Sequence, residues 1–173
     1  MIVLIGYMGS GKSSIGATLA KLLEIDHIDL DAYIEAQEEM SVSEIFKRKG
    51  EVFFRKKEYA YLKEFLERKD NVVLSLGGGT PCYGNNAEAI VDSGVDSFYL
   101  RASVSTLAGR LSSQKATRPL IAHLKCNVEL LEFVGKHLFE RDPYYRKAGK
   151  VIDVDTKDVK EIASEVIGQL QMR

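Results

Sequence analysis

Residues 6–13 read Gly6-Tyr7-Met8-Gly9-Ser10-Gly11-Lys12-Ser13, after the apolar run Ile2-Val3-Leu4-Ile5 and before a segment whose apolar residues Ile15, Leu19, Leu22 and Leu23 recur at helical spacing. This is G-x-x-x-x-G-K-[ST] between a strand and a helix, the context that marks a phosphate-binding loop rather than a chance glycine-rich turn. Glycines let the backbone curl until successive N–H groups point inward, and the helix that follows adds the positive end of its dipole. A polyphosphate finds donors already aimed at it. Gly9, Ser10, Gly11 and Ser14 are the expected loop contacts, Lys12 reaches the β and γ phosphates, and Ser13 offers its hydroxyl to Mg²⁺. The motif points to a nucleoside triphosphate but leaves a kinase, a switch and a motor all open.

The chain has 173 residues, enough for one α/β domain with a full-sized core. A formal net charge of −1 excludes a broad basic surface for nucleic acid or anionic membrane, though not a local basic pocket. Met1 directly precedes the first strand and no apolar run approaches a membrane span, so the expectation is a soluble, cytoplasmic protein. Cys82 and Cys126 are too few for a disulfide framework and lack metal-ligand spacing; they read as reduced thiols.

Beyond the first helix, His27-Ile28-Asp29-Leu30-Asp31 reads as a second strand ending in two acids, with a helix starting at Ala32. While the strand lasts, Asp29 and Asp31 share one face. Near a triphosphate they suit a metal's water shell and an acceptor hydroxyl; in isolation the ordinary reading, a strand-end acid and a helix cap, is the favoured one. Ser41-Val42-Ser43-Glu44 is a capping box, predicting a short helix that ends near Gly50, followed by a longer one from about Glu51 to Arg68. On it Arg55 follows Glu51 by four residues and precedes Glu58 by three, a spacing that surface ion pairs explain by themselves.

Asn71 to Leu76 reads as a buried parallel strand, and Gly77-Gly78-Gly79 follows directly. Three glycines at a strand's carboxyl end suggest either close approach of a ligand to the backbone or a flexible turn. Neither this strand nor the next, Ser97 to Leu100, ends in the acid of a conventional Walker B element, which leaves Asp29 as the metal-side candidate. A helix from Ser103 to Leu111 carries Arg110. The polar segment Ser112 to Pro119 looks like a lid in which Arg118 is either a solvated charge or a phosphate clamp. A long helix from Asn127 towards Asp142-Pro143 bears Arg141 at its end, and a fifth strand, Val151 to Val154, precedes a closing helix, Lys157 to Leu170. Strands alternating with helices imply a five-stranded parallel sheet flanked by helices, α/β in class. The excursions from a minimal core are an acceptor-binding segment, about 32–65, and the lid, about 112–124.

This ordered set resembles shikimate kinase almost end to end: the P-loop at 6–13, Asp29-Leu30-Asp31, Phe53-Phe54-Arg55 with Glu58, Gly77-Gly78-Gly79, Arg118-Pro119-Leu120 and Arg141-Asp142-Pro143-Tyr144-Tyr145. The resemblance implies one P-loop kinase domain over 1–173, of the nucleoside monophosphate kinase-like fold, that phosphorylates the 3-hydroxyl of shikimate with ATP and Mg²⁺. It implies that Asp31 meets the substrate's hydroxyls, that Arg55 and Arg141 bind its carboxylate, and that backbone at Gly77, Gly78 and Gly79 completes the pocket. Lys12 and Arg118 would contact the transferred phosphate, with Lys12, Asp31 and Arg118 as the catalytic set. Ser13 would hold the metal directly and Asp29 through water, while Arg110 and Lys157 fall on the adenine side. The expected partners are the small molecules ATP and shikimate, with the chain acting as a monomer.

Other P-loop kinases, such as gluconate or nucleoside monophosphate kinases, are the nearest rivals, but two arginines, an aspartate and a glycine turn suit a hydroxylated acid better than a nucleobase. A GTP-binding switch would carry Asn-Lys-x-Asp and Asp-x-x-Gly elements, and neither string occurs.

Overall fold

The computed structural model describes residues 1–115, 118 and 120–171. Strand β1 (Ile2–Ile5) and helix α1 (Lys12–Leu23) flank the P-loop. Strand β2 (Asp26–Asp29) leads into α2 (Leu30–Glu38), α3 (Val42–Lys49) and α4 (Glu51–Arg68). Then come β3 (Val72–Ser75), a 3-10 turn at Thr80–Cys82, α5 (Asn86–Asp92), β4 (Asp96–Arg101), α6 (Val104–Ser112), α7 (Asn127–Tyr145), β5 (Lys150–Asp153) and α8 (Val159–Gln171).

The five strands form one sheet in the order β2-β3-β1-β4-β5, and every neighbouring pair is parallel. β1 and β3 are buried along their whole length, which is why both read as unbroken apolar runs apart from Ser75. The chain leaves β1 toward β2 on one side and later returns past it to β4 on the other. Right-handed crossovers therefore put α1 on one face and the later connections on the opposite one. α8 packs on α1, while α6 packs on α7 and α4 on α2, α3 and α5. The reversal of strand order falls at β1, so the P-loop opens into the crevice at the carboxyl ends of the strands.

Local chemistry accounts for most boundaries. Ser41 and Glu44 form the reciprocal capping box at the start of α3, and the Ser103 hydroxyl accepts from Thr106 N–H to cap α6. Gly16 sits mid-helix in α1 because that helix lies hard on the sheet. A Cβ there would stand 2.5 Å from His27 Nε2 and 2.8 Å from Ser75 Oγ.

Some boundaries differ from the sequence reading. β2 stops at Asp29 and α2 begins at Leu30, so Asp31 occupies a first helical turn rather than a strand. The cause is Asp29 itself, whose carboxylate accepts from Asp31 and Ala32 N–H and thereby starts the helix. The span 80–95, to which the sequence reading assigned no element, carries the 3-10 turn and α5. α7 runs through Pro143 to Tyr145. Proline's missing N–H leaves the carbonyl of Phe139 without its usual helical donor, on a turn whose residues Phe139, Glu140, Pro143 and Tyr144 are exposed. Of the lid expected at 112–124, Ala116, Thr117 and Pro119 lie outside the described residues. After them Ile121 is fully buried in the core, so the segment's far end is anchored.

Candidate active site

The P-loop curls because Gly11, the N-cap of α1, takes φ 98°, a left-handed conformation that side-chain-bearing residues adopt at a cost. Ser10 N–H donates to Tyr7 C=O at 3.1 Å and tightens the turn. Lys12 folds over the loop, its Nζ donating to the carbonyls of Gly6 at 2.8 Å and Tyr7 at 3.0 Å. Crowding by protein atoms pushes the Lys12 amine down to about 8, against the pull of Asp31 and Asp29. Ser13 Oγ donates to Asp29 Oδ2 at 2.8 Å, while Asp29 Oδ1 caps α2. Asp29 is therefore a helix cap, the plainer of its two sequence readings, and its other carboxylate oxygen faces the P-loop serine.

Asp31 lies against the glycine triad. A Cβ at Gly77 would stand 2.6 Å from Asp31 Oδ1, and one at Gly79 would stand 3.1 Å from an Arg55 guanidinium nitrogen. The close approach that these glycines permit is made by the cleft's own side chains. Burial, then the Glu58 and Asp29 carboxylates, raise the Asp31 carboxyl to about 6.

Arg55 is more than a surface ion pair. Its Nη1 donates to Glu58 Oε2 at 2.9 Å, and Glu58 is 1% exposed, with its other oxygen accepting from Thr80 Oγ1 at 2.6 Å. The i to i+3 spacing disclosed the pair but not its burial, which depends on Thr80 arriving from a turn 22 residues on. From α7, Arg141 donates to Gly78 C=O at 3.4 Å and stands 5.7 Å from the Tyr7 ring centroid. Tyr145, fully buried, donates to the same carbonyl. The sequence offered no signal for that role beyond the Tyr144-Tyr145 pair.

On the other side, Arg110 donates to the carbonyls of Gly9 at 3.2 Å, Ser10 at 3.4 Å and Val154 at 3.1 Å, tying the P-loop to the end of β5. Lys157 pairs with Glu165, and Arg118 Nε donates to Gln114 Oε1 at 2.9 Å. All the expected site residues, from Gly9 to Lys157, line one cleft of about 1490 Å³. Tyr83 and Cys82 line it too, although the sequence reading gave neither a place there. No group of three or more His, Cys, Asp or Glu side chains able to hold a metal occurs among the described residues, so a cation here would draw most of its ligands from phosphate and water.

A parallel sheet with a P-loop at its switch point, facing a cleft lined by Lys12, Arg55, Arg110, Arg118, Arg141 and the Asp31 carboxylate, has the architecture of a P-loop kinase. A family model described as shikimate kinase matches residues 8–171. Curated relatives named shikimate kinase include one from Flavobacterium psychrophilum, 47% identical over 95% of both chains. Another, from Flavobacterium johnsoniae, is 43% identical over 96% of both. The solved shikimate kinase of Bacteroides thetaiotaomicron superposes with a TM-score of 0.85 at 35% identity, covering 98% of this chain and 95% of that one. That of Acinetobacter baumannii, in complex with shikimate, gives 0.85 at 30% identity, covering 98% and 92%. A gluconokinase from Sinorhizobium meliloti, at 21% identity and a TM-score of 0.56 over 98% and 90%, shares the fold alone. The chain belongs to the shikimate kinase family.

Proposed function

We propose that this chain transfers the γ-phosphoryl group of ATP to the 3-hydroxyl of shikimate, giving shikimate 3-phosphate and ADP, a step towards chorismate and the aromatic amino acids. One observation carries the reading. Two guanidinium groups on separate helices, Arg55 and Arg141, reach the Gly78-Gly79 backbone with Asp31 beside Gly77, in the cleft that also holds Lys12. Shikimate has one carboxylate and three hydroxyls. Guanidinium can grip a carboxylate bidentately where an ammonium group cannot, so the two arginines suit the acid and Asp31 the hydroxyls.

Position in the cleft supports the following roles. The N–H groups of Gly9 to Ser14 cradle the phosphates, Lys12 releases the loop carbonyls for the β and γ phosphates, and Arg118 approaches the transferred group. Arg110 and Lys157 border the adenine side. Asp31 orients the 3-hydroxyl and accepts its proton late, because a loose transition state requires little early deprotonation. The Ser13 hydroxyl and Asp29 carboxylate, 2.8 Å apart beside the P-loop, are hard oxygen donors that fit Mg²⁺, Ser13 directly and Asp29 through water. When bound, Mg²⁺ neutralises phosphate charge. We further propose that the protein acts as a cytoplasmic monomer of one domain. No helix among the described residues is long and apolar enough to cross a membrane.

The test is coupled ADP release with ATP, Mg²⁺ and shikimate, beside reactions with no acceptor, gluconate or a nucleoside monophosphate. Release that depends on shikimate alone is expected; release with gluconate or the nucleotide instead would overturn the acceptor assignment.

A further inference from the structure

Arg55 is held at its edges by carboxylates and on one face by an aromatic ring. In the guanidinium plane it donates to Glu58 at 2.9 Å and to Glu51 at 3.3 Å and 3.4 Å. Above that plane stands Tyr83, with its ring centroid 3.7 Å from Cζ, which is van der Waals contact; the rings of Phe54 and Phe46 are farther, at 5.2 Å and 5.8 Å. Tyr83 follows the 3-10 turn and is 37% exposed. Together with Arg55 it lines both the main cleft and a separate outer groove bounded by Val52, Lys56 and Tyr59. The stacked pair is a wall shared by the two spaces.

We propose that Tyr83 is a positioning residue for acceptor binding: its ring fixes the tilt of the Arg55 guanidinium so that the fork faces the acceptor carboxylate rather than the outer groove. Edge hydrogen bonds locate a guanidinium within its plane but leave it free to rock about the line joining the Glu51 and Glu58 contacts, and a group on its face removes that motion. Bidentate recognition needs coplanarity, so tilt translates directly into lost carboxylate binding. The ring also desolvates one face, and cation–π attraction strengthens as water is removed. The Glu51 and Glu58 contacts cannot substitute, because they act along the edges. Gly79 cannot either, since it offers backbone and no ring. The inference rests on the reading of Arg55 as a carboxylate ligand.

The test compares Tyr83→Ala, Tyr83→Leu and Tyr83→Phe, measuring kcat and both KM values with shikimate and with an analogue whose carboxylate is reduced to hydroxymethyl. The expected result is that Ala and Leu raise KM for shikimate by roughly three- to tenfold, the range of a partly desolvated cation–π contact. KM for ATP should move less than twofold, Phe should restore the parent value, and the analogue should be equally poor with all four proteins. A shikimate KM within twofold of the parent in Tyr83→Ala overturns the proposal. So does Phe behaving like Ala, which would assign the effect to the hydroxyl, or Leu behaving like Phe, which would assign it to bulk. An equal loss with the analogue would show that Tyr83 does not act through the carboxylate. A parent that fails to phosphorylate shikimate at all would instead sink the functional reading.

Discussion

In the proposed reaction Lys12 and Arg118 serve the nucleotide from different elements, one rooted in α1 and the other in the segment after α6. On that proposal each would bring a cation to charge that develops on the transferred group. Replacing either with Ala should lower turnover by on the order of a hundredfold or more, the scale expected for loss of a transition-state donor. Steady-state kinetics at saturating substrates check this, and near-normal turnover in both variants would remove them from the catalytic set. Asp31 offers a pH test. Its carboxyl is raised to about 6 by burial and by Glu58 and Asp29, so the native state holds that proton more tightly than the unfolded chain does. The sign follows: the ionised form destabilises the fold, the penalty is absent below the ordinary carboxylate range, and it is complete above about 6. Asp31→Asn should therefore raise the melting temperature by a few degrees at pH 7.5, about 1 kcal/mol for a half-buried group, and by little at pH 4. The same substitution should abolish the fall in parent activity as pH drops through about 6, and retention of most activity in Asn would argue against an obligatory base. A melting temperature unchanged at pH 7.5 would show that the carboxylate is not strained.

At the scale of elements, the contacts that aim the P-loop come from the strands beneath it. Ser75 at the end of β3 donates to Lys12 C=O at 3.2 Å and bonds His27 of β2 at 2.9 Å, so two strands hold the first turn of α1. Gly16 allows this by keeping the helix close to the imidazole. Alanine normally favours a helix interior by up to about 1 kcal/mol over glycine. Gly16→Ala should nevertheless destabilise the protein by about 1–3 kcal/mol, because the added methyl drives into the His27 ring and the Ser75 hydroxyl. Urea denaturation checks it, and a stabilised variant would show that α1 can lift without loss. The opening of α2 makes a related point. An Asp-x-Asp string at a strand end is legible as two acids near a phosphate site, but where the strand stops depends on which backbone N–H groups Asp29 captures. Its contact with Ser13 then depends on α1 standing alongside. Pro143 shows the converse, a local helix breaker tolerated because its lost bond falls on a solvent-facing turn.

For the whole molecule, binding of nucleotide to the native state alone should raise thermal stability by mass action. ATP with Mg²⁺ at about a hundred times its dissociation constant should add about 2.7 kcal/mol. A scanning fluorescence melt with ATP, GTP and no nucleotide checks this; protection by GTP but not ATP would contradict the kinase reading. The chain's linear pattern by itself determined the class of fold, the strand–loop–helix that binds phosphate, and the residue types offered to a hydroxylated acid. Those features are local, carried by glycine spacing, apolar periodicity and caps within a few residues of one another. Tertiary structure alone decided that Glu58 is buried under Arg55, that Tyr83 stacks on that guanidinium, and that Gly77 and Gly79 make room for Asp31 and Arg55. It also decided that Tyr145 secures the Gly78 carbonyl. Each of these depends on groups far apart in the chain, the burial of Glu58 on Thr80 rather than on nearby Arg55, and no periodicity records such a meeting, because the burial and electrostatics that give it meaning exist only once the sheet has brought the elements together.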